Sequence, residues 1–267
     1  MQSPSLLRMP SRSFEYLSSS DQVILTNIFH AYENTCTVAK NTTFQNFPAI
    51  QHTSMHAFID EMSSEIQITI EYLKLIPEFN NLIMDDKVRL IRNHIGTIIH
   101  VNELLLLPVP PVNLVGAWTN LFGLNTTKSI FEHNQIIEQY LCDPIILKVV
   151  LIILILSSSN SRNIDYIDID QICDDSLSIF IAQNIYVELL WKYILSRSPN
   201  ERNAVKFFNR LVMFILYAQN LHLHLDGYIN SLTHEIKQME PMMQNMWLRT
   251  DNNEDMNEVI IAQDVSS

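Results

Sequence analysis

Glycine is scarce, with four residues in 267. Loops that cradle phosphate need glycine at several fixed positions, and neither GxGxxG nor GxxxxGK[ST] occurs. The nucleophile-elbow pattern GxSxG is missing as well. Nucleotide-dependent and serine-hydrolase chemistry therefore lose their usual frames, and the expectation is a protein that is not an enzyme and has no cofactor. Cations are outnumbered, 17 against 29 acids, for a net charge of −12. Binding to nucleic acid requires clustered cations to neutralise phosphates, so direct contact with it is not expected of this chain. Cysteine is also rare: Cys36, Cys142 and Cys173 are far apart and form neither a zinc pattern nor a disulfide framework. A reducing compartment fits. The greasiest run, IILKVVLIILIL (145–156), is short and carries Lys148, so it reads as a helix buried in a soluble domain. The first twenty residues hold no long apolar run and suggest no secretory signal.

What the chain does have is apolar residues, 47% against 17% charged. That is enough for a large core burying roughly three quarters of the unfolded surface. Residues 1–18 read as a disordered leader, 19–248 as one domain and 249–267 as a disordered acidic tail. Ser19, with Gln22 three residues on, has the spacing of a capping box, and Val23, Ile24, Ile28 and Tyr32 follow on one face. Met55, Phe58, Ile59, Met62, Ile66, Ile70, Leu73 and Ile76 recur at steps of three and four, predicting a long amphipathic helix that Pro77 ends. Asp85 and Asp86 should cap a second long helix reaching to Pro108. Residues 108–123 break the helical period and read as a short hairpin or a loop. Asp143-Pro144 and Ser198-Pro199 read as cap-then-proline starts of two further helices. Between them, 160–175 is an acidic connector, and 176–197 is a helix with Phe180, Ile181, Ile185, Leu189 and Tyr193. The helix after Ser198-Pro199 is long, with a kink expected near Asp226-Gly227. No run of alternating strands appears, so the expected class is all-α.

The chemistry-bearing groups are thin. His52 and His56 have the i, i+4 spacing of a zinc pair but lack the glutamate of a metalloprotease, and no metal site is expected. Asp165, Asp168, Asp170, Asp174 and Asp175 resemble a calcium loop in charge alone. Glu132 and Glu138 flank His133 as helix-surface residues would. His222 and His224 are two apart and so point to different faces, one of them inward. Met239, Met242, Met243 and Met246 suit either core filling or an adaptable contact patch.

The segment YLKLIPEFNNLIMDDKVRLI (72–91) carries the strongest signal. Tyr72, Leu73, Lys74, Phe79, Leu82, Asp86, Lys87, Leu90 and Ile91 stand at the spacings of the signature of the nuclear hormone receptor ligand-binding domain, which the segment resembles. The one departure is Leu73, where the family prefers a small residue. Residues 19 onward look like the first helix of the family's non-steroid branch, the vitamin D, oxysterol and thyroid receptor-like group. AQNIYVELLWKYILSRSPNERNAVKFFNRL looks like its ninth and tenth helices. The resemblance covers about residues 19 to 248. Three cysteines cannot build the family's zinc-bound DNA-binding domain.

The resemblance implies a three-layer sandwich of about ten to twelve helices. It implies a shallow groove that takes coregulator helices of the LxxLL type, apolar face down. By position Ile70, Lys74, Met84, Lys87, Val88, Ile91 and Arg92 would line it, with Lys74 meeting the partner's unpaired C-terminal carbonyls. The activation helix would be 241–247, contributing Met242, Asn245 and Met246. Asn245 stands where the family has an acid, and the lost charge–dipole contact is worth on the order of 1 kcal/mol. A competing register places the acid at Glu258. A small lipophilic ligand would touch Phe58, Ile59, Met62, Glu65, Ile66, Ile99, Asn102 and His224. Leu106 replaces the arginine of steroid-type pockets. Homo- or heterodimerisation with another nuclear receptor would use Leu211, Phe214, Ile215 and Ala218. The implied role is a ligand-regulated transcription regulator in the nucleus, or in nucleus and cytoplasm both, with no membrane partner. The alternative is a ligand-independent receptor without a DNA-binding domain, acting as dimerisation partner or decoy.

Overall fold

The computed structural model describes residues 16–39, 55–106, 112–157, 173–230 and Lys237. Among these residues all regular structure is helical, eight α-helices and one π-helical turn, with no strand. Helix α1 (Ser19–Tyr32) is capped one residue earlier than the spacing suggests. The Ser18 hydroxyl accepts from the Asp21 N–H at 3.1 Å, and the Asp21 carboxylate accepts from the Ser18 N–H at 2.9 Å. Asp21 thus completes the capping box in place of Gln22. The buried face is Leu25, Ile28, Ala31 and Tyr32, and Val23 faces solvent. A π-helical turn, Glu33–Thr37, follows directly.

Helix α2 (Met55–Lys74) stops before Pro77, and Pro77 opens the one-turn helix α3 (Pro77–Asn80). Its ring fixes φ at a helical value and supplies no N–H, which suits the first helical position. The residue before it, Ile76, is pushed to an extended conformation (φ −90°, ψ 113°). So α2 ends, turns and restarts within nine residues, bringing α2 against both α3 and α4 (Met84–Leu106).

Asp86 does not serve as the expected free cap. It is fully buried, and its carboxylate accepts from the backbone N–H groups of Asp174 (2.7 Å) and Asp175 (2.9 Å) and from Arg89 (3.2 Å). This pins α4 to the start of α7 (Ser176–Arg197), a contact between residues nearly ninety apart. Tyr186 of α7 donates to Glu78 of α3, a second tie across the same gap.

The stretch after Pro111 corrects the hairpin-or-loop reading: α5 (Val112–Glu138) is helical on both sides of Gly123. Gly123 alone in this helix has non-helical angles (φ 81°, ψ 164°). Helix α6 (Ile145–Ile155) sits at the centre, packed on α4, α7 and α1. Pro144 precedes it without a side-chain cap; Asp143 instead accepts from the Tyr193 hydroxyl (2.9 Å) and Arg197 (3.2 Å). Lys148 is the single charge in α6. Its ammonium meets Glu33 at 2.7 Å and lies over the rings of Phe29 and Tyr32 at 4.4 and 4.5 Å, so a buried charge is fully partnered.

Helix α7 buries Ile179, Ala182, Tyr186, Leu189, Leu190 and Tyr193. Phe180, Ile181 and Ile185 face solvent, against the expected face. Helix α8 (Glu201–Asn230) starts two residues after Pro199, and Asn200 accepts from the Asn203 N–H at 2.9 Å. It continues as one helix through Asp226 and Gly227, where a kink was expected. No helix among the described residues is long and apolar enough to cross a membrane.

Candidate functional site

The interior between α1, α2 and α4 holds a polar cluster in an otherwise apolar core. Tyr32 donates its hydroxyl to Asn102 Oδ1 at 2.7 Å. Asn102 Nδ2 donates to Thr69 Oγ1 at 3.2 Å, and Thr69 returns its hydroxyl to the Glu65 carbonyl at 2.8 Å. Glu65 and Thr69 are one turn apart on α2, so both face α4. The Glu65 side chain is 1% exposed, and its Oε1 has no hydrogen-bond partner among the described residues. Burial, and then the neighbouring Glu103, hold the Glu65 carboxyl well above the usual range. Burial raises Glu103 to about 8 and the Cys36 thiol to about 12. At neutral pH both carboxyls therefore favour the protonated form and can donate as well as accept.

Of the residues expected to touch a lipophile, Glu65 and Asn102 belong to this cluster; Ile66 is buried and Ile99 half-buried in the surrounding core. The side chains of Phe58, Ile59, Met62 and His224 lie outside the described residues. So do Met242, Asn245 and Met246 of the expected activation helix, and the side chain of His56.

The residues expected to line a groove divide into buried and half-buried ones. Ile70, Val88 and Ile91 are 2%, 1% and 0% exposed and belong to the core, which corrects their assignment to an open surface. They are the apolar contacts that bind α2 to α4. Lys74, Met84, Lys87 and Arg92 are half-buried, with the Lys74 ammonium 3.6 Å from Glu71. The expected dimer face is corrected in the same way. Leu211, Phe214 and Ala218 are buried, and Ile215 is half-buried. The Phe214 ring stacks on His133 at 5.0 Å, so this face of α8 is spent on α5. The solvent side of α8 carries Val205, Val212, Met213 and Leu216 instead.

The contact between His100 and His133 had no signal in the sequence. His100 Nε2 and His133 Nδ1 are 2.6 Å apart, joining α4 to α5. His133 is buried and His100 half-buried, and desolvation drives both imidazoles down, His100 to about 4 and His133 further. His133 therefore points into the core, away from Glu132 and Glu138 on the solvent side of α5. His222 is buried, with its ring seated against Gly96 of α4. No group of three His, Cys, Asp or Glu among the described residues is placed to hold a metal. No protein-family model matches the chain, and no curated protein matches it in sequence.

Proposed function

We propose that the chain is a receptor-type transcription regulator that takes a small lipophile inside an all-helical domain of the three-layer sandwich kind and acts in the nucleus through partner helices. The observation that carries this reading is Glu65. A buried carboxyl oxygen without a partner costs about 1–3 kcal/mol, and a ligand hydroxyl or amine set against it recovers that cost. The apolar surroundings would hold the rest of such a molecule by area, at about 25 cal/mol per Å². The signature-like segment from Tyr72 to Ile91 supports the same reading, because it runs from the end of α2 through α3 into α4 as the resemblance implies. Docking of an LxxLL helix there would require the floor of Ile70, Val88 and Ile91 to be uncovered first.

A second reading is a ligand-free interaction module. It is supported by Asn102, whose amide oxygen and nitrogen are both satisfied by Tyr32 and Thr69 without a ligand. It is also supported by the apolar solvent side of α7 and α8. Native mass spectrometry of chain purified from cells separates the two. One bound small molecule per chain supports the regulator reading; a bare chain supports the second.

A further inference from the structure

Helices α7 and α8 are joined by three residues, 198–200, and run back along each other. Between them lies an open groove of about 550 Å³, lined by Val187, Glu188 and Trp191 of α7 and Val205, Phe208 and Asn209 of α8. The apolar surface continues past the groove. On α7 it reaches Phe180 and Ile181; on α8 it reaches Val212 and Leu216, at i+7 and i+11 from Val205. These side chains are exposed although the chain has ample core to hold them. Contiguous exposed apolar surface of this kind marks a docking site.

The rim of this surface has a distinct charge. Arg202, Lys206 and Arg210 stand at i, i+4 and i+8, a single row beside the apolar stripe and on the side away from α7. All three are exposed, and none forms an ion pair among the described residues. From Arg202 to Leu225, α8 contains no acid at all. On a chain with net charge −12, an unpaired basic row beside a greasy stripe is the complement of an acid-edged apolar helix. A second copy of this chain fits less well. A two-fold interface meets itself, which brings the two basic rows to the same contact.

We infer that the α7–α8 groove docks an amphipathic partner helix whose apolar stripe is flanked by Asp or Glu. The stripe fills the groove over Trp191 and Phe208, and the acids pair with Arg202, Lys206 and Arg210. This inference does not rest on the lipophile reading, since a bare chain presents the same groove.

The test uses the full chain and two fluorescent synthetic peptides of about five helical turns. Both carry a leucine stripe; one has Glu along its flank, the other Lys. The Glu peptide should bind at least about tenfold more tightly, quench or shift Trp191 emission, and weaken as salt rises. The double variant Lys206→Glu, Arg210→Glu should reverse the preference, and Val212→Asp should abolish both interactions. These positions are on the solvent side, so circular dichroism of the variants should match the parent. Equal binding of the two peptides, or no binding, overturns the inference. So does a light-scattering dimer that Val212→Asp dissociates, because the occupant is then a second copy.

Discussion

At the scale of single residues, two buried sets of titrating groups oppose one another. His100 and His133 titrate near 6.5 in the unfolded chain, but burial holds them neutral in the folded one, His100 down to about 4. Their contribution is complete above pH about 6.5 and drains away as the pH falls toward 4. Glu103 behaves in the reverse sense. Unfolded it ionises near 4.5, while folded it keeps its proton to about 8, so stability drains as the pH rises across that interval. Glu65 adds to the same alkaline arm. Thermal melts across pH 4 to 9 should show a maximum between about 4.5 and 6.5. Glu103→Gln should flatten the alkaline arm, gaining at least ~1 kcal/mol at pH 8. A melting temperature that climbs steadily from pH 6 to 8 would contradict the assignment of Glu103 and Glu65 as neutral acids. A second residue-scale contact is equally specific. A β-carbon on Gly96 would lie 2.0 Å from the His222 ring. Gly96→Ala should cost about 1–3 kcal/mol, and adding His222→Ala should return at least ~1 kcal/mol of it in a double-mutant cycle by urea melts.

At the scale of elements, Gly123 shows backbone geometry acting without packing. Its φ of 81° is reserved for glycine, and nothing lies within 4 Å of the missing side chain. Gly123→Ala should therefore destabilise by about 1–3 kcal/mol through backbone strain alone, measured by denaturant unfolding. A neutral result would mean that the two halves of α5 are not held at this angle. Which elements could be read in advance follows from how local their causes are. The start–stop–start of α2, α3 and α4 depends on Pro77 and on a three-to-four periodicity, both visible in one stretch. The buried face of α7 was misread because apolar residues occur all round it, and a three-to-four path can be traced through Phe180, Ile181 and Ile185 as well as through Ala182, Tyr186 and Leu189. The caps at Ser18 and Asn200 lie one residue before and two residues after the predicted sites, because several neighbouring hydroxyls and amides can each cap a helix start. The helix from Val112 was hidden by Pro108, Pro110 and Pro111 before it and Gly123 within it.

At the scale of the whole molecule, the helical class was legible from composition and period, but the distribution of surfaces was not. Burial is decided by contacts between residues far apart in the chain. His100 and His133 are 33 positions apart, and Lys148 and Glu33 are 115. The same long-range packing places Val88, Ile91, Leu211 and Phe214 in the core and leaves Phe180, Val212 and Leu216 outside. The apolar stripes of α2, α4 and α8 marked where the chain is greasy, not which side of each helix meets a neighbour. Among the described residues the helical body holds a buried acid, Glu65, with one oxygen lacking a hydrogen-bond partner, and it carries a basic-edged apolar face on α7 and α8. On the readings proposed above, the first takes a small molecule and the second a helix.

The claim on which the functional account turns is that Glu65 answers to a small molecule. Native mass spectra of the wild-type chain and Glu103→Gln and Glu65→Leu variants, purified side by side from the same cells, test it most directly. The account predicts one small-molecule adduct per chain in wild type, retained in Glu103→Gln and lost in Glu65→Leu while the chain stays folded by circular dichroism. A wild-type chain that flies bare, or an adduct that survives Glu65→Leu undiminished, would contradict it.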